Sequence, residues 1–275
     1  MITCKELPNR EFATREEMFK ALIENRSAIM TLKKSIVKHS DGFNFAMIDN
    51  VTDKGEVEKA NKPILLDDIT ELKVKVVMNT IGLYDSHGDV HIKDIWKRTL
   101  SHSNTKLHLQ EHKRSFDAVI SNDAQAYVRT ISWKSLGAVF EGSTQALIFE
   151  SLVKESRNKE MFRQYKNGWV NNHSVGMQYV DFDVCINTTE NWAKDYKDNW
   201  DKYYPEVVNK EDVDASGYFW AIKEAKLIEG SAVLFGSNVI TPTLENNMKN
   251  ALDAPLDNDS LQGTQKSKQN VFIKI

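Results

Sequence analysis

Apolar and polar positions alternate along much of the middle of the chain. Alternation with a period of two predicts half-buried β-strands, because successive side chains of a strand point to opposite faces of a sheet. The stretches with this pattern are 73–78, 106–112, 127–131, 169–183 and 219–234. A further apolar run lies near 116–120, and a short helix is predicted over 93–101. The pattern predicts an α+β domain, or a barrel with helical cover, rather than alternating βαβ units.

Helical spacing of apolar residues and capping signals predict two longer helices. Thr14 and Glu17 match a capping box in front of a helix over about 14–26. A second helix is predicted over about 143–167, and Gly168 then occupies the place of a helix-terminating glycine. The helices and strands together indicate one main domain rather than a repeat array.

The distribution of polar residues divides the chain into three parts. Residues 1–70 are predicted to form a mixed, partly helical N-terminal extension. Residues 71–244 form the main domain, with a polar insertion at about 186–216 that is expected to be helical over 189–203. Residues 245–275 are polar and predict a flexible tail.

Composition excludes several classes of function. The chain has 275 residues, a net charge of −3 and no polybasic stretch, so we expect no nucleic-acid partner. No run of about 18 apolar residues occurs, and no membrane contact is expected. Cys4 and Cys185 provide neither a disulfide framework nor a metal site, and we expect no cofactor and no metal.

A serine beside a glycine in the strand 169–183 is the first candidate for chemistry. Strand alternation directs Val175 and Met177 to the core and Ser174 and Gly176 to the other face. His173 neighbours Ser174 in sequence and therefore points away from it. We also expect Gly176 to leave room for a substrate backbone beside the serine hydroxyl.

A serine needs a base, and the base needs a group that orients it. His112 is the candidate base, because it ends a predicted strand and histidine accepts protons near neutral pH. Glu229 and Glu224 are the candidate acids, and they lie an odd number of positions apart in one predicted strand. Only one of them can therefore face His112. A serine in a strand is more often only structural, so spacing alone does not establish catalysis.

Four segments carry a resemblance over about residues 73–241. They are Asp85-Ser86-His87-Gly88-Asp89-Val90, the strand ending in His112, Ser174-Val175-Gly176-Met177, and Glu229-Gly230-Ser231. In this order they resemble the prohead (capsid maturation) proteases of tailed phages, which are distantly related in fold to the herpesvirus assemblins. Met177 stands where the family commonly has Phe, and Gly230 where it has Val.

The resemblance implies a mainly antiparallel, barrel-like core surrounded by helices. It implies a serine endopeptidase with a catalytic triad in which Ser174 is the nucleophile, His112 the base and Glu229 the acid that orients the base. The implied substrates are the major capsid and scaffold proteins inside the assembling procapsid, in the host cytoplasm. Self-cleavage is common in that family, and formation of a homo-oligomer is left open.

Two metal hypotheses compete with this interpretation. The first is a zinc metalloprotease, because His108, Glu111 and His112 match the zinc-binding motif H-x-x-E-H. That motif needs a helix to bring both imidazoles to one metal. The flanking residues alternate instead with period two, which turns Glu111 away from both histidines.

The second metal hypothesis concerns the turn at 85–91, where residues that can bind a metal ion occur at every second position. They are Asp85, His87, Asp89 and His91. The simpler interpretation is a polar turn in which Asp89 caps backbone groups.

A third hypothesis is non-enzymatic. The chain would then be a structural or scaffold component of a virion, with the aromatic residues of 192–220 as a binding face.

Overall fold

The computed structural model describes residues 1–39, 48–51, 54–59 and 69–234. Its helices are α1 (Arg15–Glu24), α2 (Arg26–Ser35), α3 (Lys97–His102), α4 (Lys159–Lys166), α5 (Lys194–Tyr203) and α6 (Lys210–Ser216). Its strands are β1 (Ile2–Thr3), β2 (Glu11–Phe12), β3 (Lys38–His39), β4 (Ile48–Val51), β5 (Val57–Lys59), β6 (Glu71–Thr80), β7 (Asp89–His91), β8 (Thr105–Gln110), β9 (Val119–Ser132), β10 (Ser143–Lys154), β11 (Asn172–Ile186) and β12 (Tyr218–Val233).

One eight-stranded mixed sheet organises the fold. Its order is β3-β11-β12-β8-β9-β10-β6, and β7 also pairs with β12. The ladders are antiparallel except those that join β12 to β7 and to β8. The α+β prediction is confirmed. Within the described ranges the sheet is open, because no ladder joins its end strands β3 and β6, so the barrel implied by the resemblance is not closed there.

The helix predicted over 143–167 is wrong in its first half. Residues 143–154 form β10, which lies between β9 and β6. Four consecutive residues of β10, from Ala146 to Phe149, have no exposed surface. A continuous apolar run is compatible with a strand buried on both faces as well as with a helix, so the pattern of residues 143–154 did not distinguish the two. The helix begins only at α4, and Gly168 follows it with φ 69°, as predicted.

Other predicted boundaries shift by a few residues. The short helix predicted over 93–101 is α3, and the insertion contains both α5 and α6. The C-terminal strands predicted within 219–234 are the single strand β12. None of the helices in the described ranges is long and apolar enough to cross a membrane. The predicted flexible tail at 245–275 lies outside the described residues.

The N-terminal helices pack into the core of the sheet. Thr14 caps α1 by accepting a hydrogen bond from the backbone N–H of Glu17, as the capping box predicts. Met18, Phe19 and Leu22 are almost fully buried and belong to the same apolar cluster as residues of β11 and β12. The predicted helix divides at Asn25, which ends α1 and precedes α2.

A buried ion pair attaches α2 to the sheet. Lys33 Nζ lies 2.5 Å from Asp89 Oδ1, and the side chain of Asp89 has no exposed surface. The Tyr179 hydroxyl donates to the other carboxylate oxygen over 2.9 Å. Burial alone would lower the pKa of Lys33, but the charges of Asp89 and Glu6 raise it above its ordinary value.

The polar turn before β7 is built differently from the prediction. Asp85, not Asp89, caps the turn, because its Oδ1 accepts the backbone N–H groups of His87 and Asp89 over 2.8 Å each. Asp89 pairs with Lys33 instead. The only group with metal-ligand spacing in the described part of the chain lies elsewhere and includes none of these residues.

We predict that Lys33→Met lowers the free energy of unfolding by about 3–5 kcal/mol, because it leaves a buried carboxylate without its closest cation. Urea denaturation measures this change. The matched control is Lys34→Met on the same helix, where the side chain is exposed and a change within about 0.5 kcal/mol is expected. Equal losses in both variants would contradict the role given to the Lys33–Asp89 pair.

Candidate active site

Ser174 lies on a sheet face that also holds the candidate acid. In the antiparallel ladder of β11 and β12, Ser174 is opposite Ser231 and Gly176 is opposite Glu229. Directly opposed residues of a ladder project to the same face. The register therefore places Ser174 and Glu229 on one face, two positions apart along the strands.

His112 reaches this face from the turn after β8. Glu111 and His112 both adopt the left-handed region, with φ of 53° and 55°. This conformation is uncommon for residues other than glycine and is frequent at functional sites. The backbone N–H of His112 donates to Ser231 Oγ over 3.2 Å, and Nδ1 donates to Glu229 Oε1 over 2.7 Å. The turn therefore positions both the backbone and the ring of His112 against β12.

Glu229 is buried, and both of its carboxylate oxygens accept hydrogen bonds. One carboxylate oxygen accepts from His112, and the other accepts from Ser231 Oγ over 2.7 Å. Gly176 makes this arrangement feasible, because a Cβ at that position would lie 2.1 Å from Glu229 Oε1. The space that the sequence assigned to a substrate backbone is thus filled by the carboxylate.

Glu224, the alternative acid, lies elsewhere. Its carboxylate binds Arg98 Nη1 over 3.0 Å at the surface. Of the two candidates, only Glu229 contacts His112 in the structure.

The hydroxyl of Ser174 is buried without a hydrogen bond. Ser174 is 2% exposed, and its Oγ has no partner in the described parts of the chain. It is not hydrogen-bonded to His112. A buried unpaired hydroxyl costs about 1–3 kcal/mol, so native structures contain few of them outside functional sites.

His39 joins the site from the N-terminal part of the chain and was missed by the sequence analysis. Strand β3 pairs with β11 so that His39 is opposite Gly176. The centroids of the His39 and His112 rings are 3.8 Å apart. Burial and the neighbouring His112 lower the pKa of His39. A two-residue strand after a helix has no sequence pattern that could have identified it.

His108 and His173 lie on the opposite face and form a separate network. The Tyr165 hydroxyl is 3.1 Å from His108 Nε2 and 2.8 Å from His173 Nε2, and His108 Nδ1 is bonded to Ser151 Oγ. Burial lowers the pKa of His108 to about 3, so this imidazole is neutral. The prediction that His173 points away from Ser174 is confirmed.

The residues of the H-x-x-E-H motif do not meet. His108 is in the buried network and His112 binds Glu229, while Glu111 Oε1 accepts the backbone N–H of Leu234. The one group in the described residues whose ligand atoms are close enough for a metal is His39, His112 and Glu229.

An apolar groove adjoins Glu229. Its apolar lining consists of Leu107, Leu109, Phe116, Val119 and Ile228. Phe116 is 90% exposed, which is unusual for so large an apolar side chain.

Comparison with known proteins gives no relative. No protein-family model, no curated protein and no solved structure matches the chain.

We predict that Gly176→Ala breaks the bond between His112 and Glu229, because the added methyl group occupies the position of the carboxylate. Proton NMR would show the loss of the hydrogen-bonded Nδ1–H signal, and overpacking would destabilise the fold by about 1–3 kcal/mol. Gln178→Ala, on the same strand, should keep the signal. Retention of the signal in Gly176→Ala would show that the carboxylate is placed differently.

Proposed function

We propose that this protein is a serine endopeptidase in which Ser174 is the nucleophile, His112 the base and Glu229 the group that orients the base. The observation that carries the proposal is the 2.7 Å bond from His112 Nδ1 to Glu229 Oε1, on the sheet face that holds the unpaired hydroxyl of Ser174. A histidine oriented by a carboxylate activates a serine hydroxyl for attack once the hydroxyl comes within hydrogen-bond reach of its free nitrogen.

The chemistry follows from the tautomer that Glu229 selects. With the proton on Nδ1, the lone pair of Nε2 is free to accept the proton of Ser174 as Oγ attacks a peptide carbonyl carbon. The imidazolium then gives that proton to the leaving amine, and the C–N bond breaks to leave an ester on Ser174. Water, deprotonated by the same imidazole, hydrolyses the ester and releases the new carboxyl terminus. The charge of Glu229 stabilises the imidazolium in both halves.

Catalysis requires a rearrangement of the resting site. Ser174 is 2% exposed and makes no bond to His112, so it must become accessible and approach Nε2 when a substrate binds. Catalytic hydrogen bonds often form only in the substrate complex. The apolar groove beside Glu229 would accommodate an apolar substrate side chain close to the reacting bond.

The substrates that we propose are the major capsid and scaffold proteins of a tailed phage, cleaved inside the assembling procapsid. The support is the resemblance of the segments around Asp85–Asp89, His112, Ser174 and Glu229 to the prohead proteases. In the fold these segments follow one another as a turn, a strand end and two paired strands. The chain would also cleave itself, as members of that family commonly do.

We predict that co-expression with the cognate capsid and scaffold proteins yields shortened products that Ser174→Ala no longer produces. Mass spectrometry of the products measures this. A fluorophosphonate should label Ser174 in the native chain, and the control Ser103→Ala, at an exposed position, should be labelled normally. Cleavage that survives Ser174→Ala and stops with a chelator would establish a metalloprotease instead. An absence of cleavage and labelling in every variant would favour the scaffold hypothesis.

We predict a large difference between two glutamate variants. Glu229→Gln should lower kcat by about 10³–10⁴-fold, because an amide cannot fix the tautomer or stabilise the imidazolium. The matched control, Glu224→Gln, loses only a surface bond to Arg98 and should stay within about twofold of the native rate. Steady-state hydrolysis of a cleaved capsid peptide measures both. Equal rates in the two variants would remove Glu229 from the mechanism.

A further inference from the structure

We propose that His39, His112 and Glu229 form a binding site for a divalent transition-metal ion, for which Zn²⁺ is the best match, and that the bound ion blocks the peptidase. The binding stands without the proposed function, whereas the blocking rests on it. Neither the sequence motifs nor the triad chemistry uses His39.

The geometry suits one small ion. Each residue offers one ligand atom, and these atoms all lie within 4.8 Å of one another. Ligand atoms around a tetrahedral Zn²⁺ are about 3.3 Å apart, given bonds of about 2.0–2.1 Å. His112 Nδ1 and Glu229 Oε1 are 2.7 Å apart and must separate slightly, while His39 must move inward. His39 is exposed, and exposed side chains change rotamer readily.

The donor set and its surroundings favour the same ion. Two imidazoles and one carboxylate are a ligand set that Zn²⁺ uses in proteins, with a fourth position left for water. Ser231 Oγ donates to the second oxygen of Glu229 over 2.7 Å, and this bond holds the carboxylate in place for a metal. Glu229 is buried and supplies a negative charge to an ion that would otherwise be poorly solvated there.

Metal binding and base catalysis exclude each other at His112. Nδ1 faces Glu229, so an ion between the two residues must bind Nδ1 and displace the proton now shared with Oε1. A neutral imidazole that binds metal through Nδ1 carries its proton on Nε2. That nitrogen then cannot accept the proton of Ser174. The ion also ties β3 to β12, because it joins His39 to Glu229 across β11.

The binding test uses the full chain with Ser174→Ala, which removes self-cleavage. Zn²⁺ titrated by calorimetry should bind one ion per chain, and Co²⁺ should show the visible absorption of a tetrahedral site. Adding His39→Asn or Glu229→Gln should weaken binding at least tenfold. The matched controls, His102→Asn and Glu224→Gln, should leave the affinity within about twofold. Unchanged affinity in His39→Asn would overturn the site.

The blocking test uses the native chain and a cleaved peptide. Zn²⁺ should inhibit hydrolysis, a chelator should restore it, and His39→Asn should need at least tenfold more Zn²⁺ for the same inhibition. Activation by Zn²⁺ would overturn the blocking role. If Zn²⁺ binds with the expected residue pattern but the chain never hydrolyses a peptide, the proposed function fails and the metal site stands. If hydrolysis depends on Ser174 but Zn²⁺ affinity is independent of His39, the peptidase stands and the metal site fails.

Discussion

The register of the β11–β12 ladder is the constraint on which the site depends. The ladder joins strands of 15 and 16 residues and sets Ser174 opposite Ser231 and Gly176 opposite Glu229. A slip of one residue would turn these side chains to the face that holds His173. Strand β8, which leads to His112, pairs with β12, and β3, which carries His39, pairs with β11. One ladder therefore fixes the position of every group at the site.

The N-terminal part of the chain is bound to this ladder by buried polar contacts. Glu6 accepts hydrogen bonds from the Tyr218 hydroxyl and from Trp220 Nε1, over 2.7 and 2.6 Å. Lys33 of α2 binds Asp89, which lies beside β12. Since β3 follows α2 closely, the same contacts determine where His39 lies. An unpaired charge in a low-dielectric interior is costly, so these paired contacts disfavour any position of α2 that would separate the charges.

Strand alternation correctly placed Ser174 and His173 on opposite faces of β11. It was wrong for Glu224 and Glu229, because the register of the β11–β12 ladder shifts between Gly176 and Met177 and brings both glutamates to one face. Glu224 does not contact His112 because it binds Arg98 farther along the strand. Alternation also failed at β10, where apolar residues occupy both faces and the period disappears. Closure of the sheet could not be predicted, because it depends on how far strands curve and not on which residues alternate. His39 was also beyond reach, since its position results from pairing between distant segments.

The site joins positions that are far apart in the chain, and this affects when it can exist. The hydrogen bond between His112 and Glu229 spans 117 residues, and β8 reaches β12 through a parallel ladder. Pairings of this kind form slowly, because a long loop must close before any contact compensates for its lost entropy. During synthesis on the ribosome, residues 1–217 would emerge before any residue of β12, so Glu229 would not yet be present to accept the hydrogen bond from His112. A nascent chain therefore has no assembled site until β12 has been made and has paired with β8 and β11.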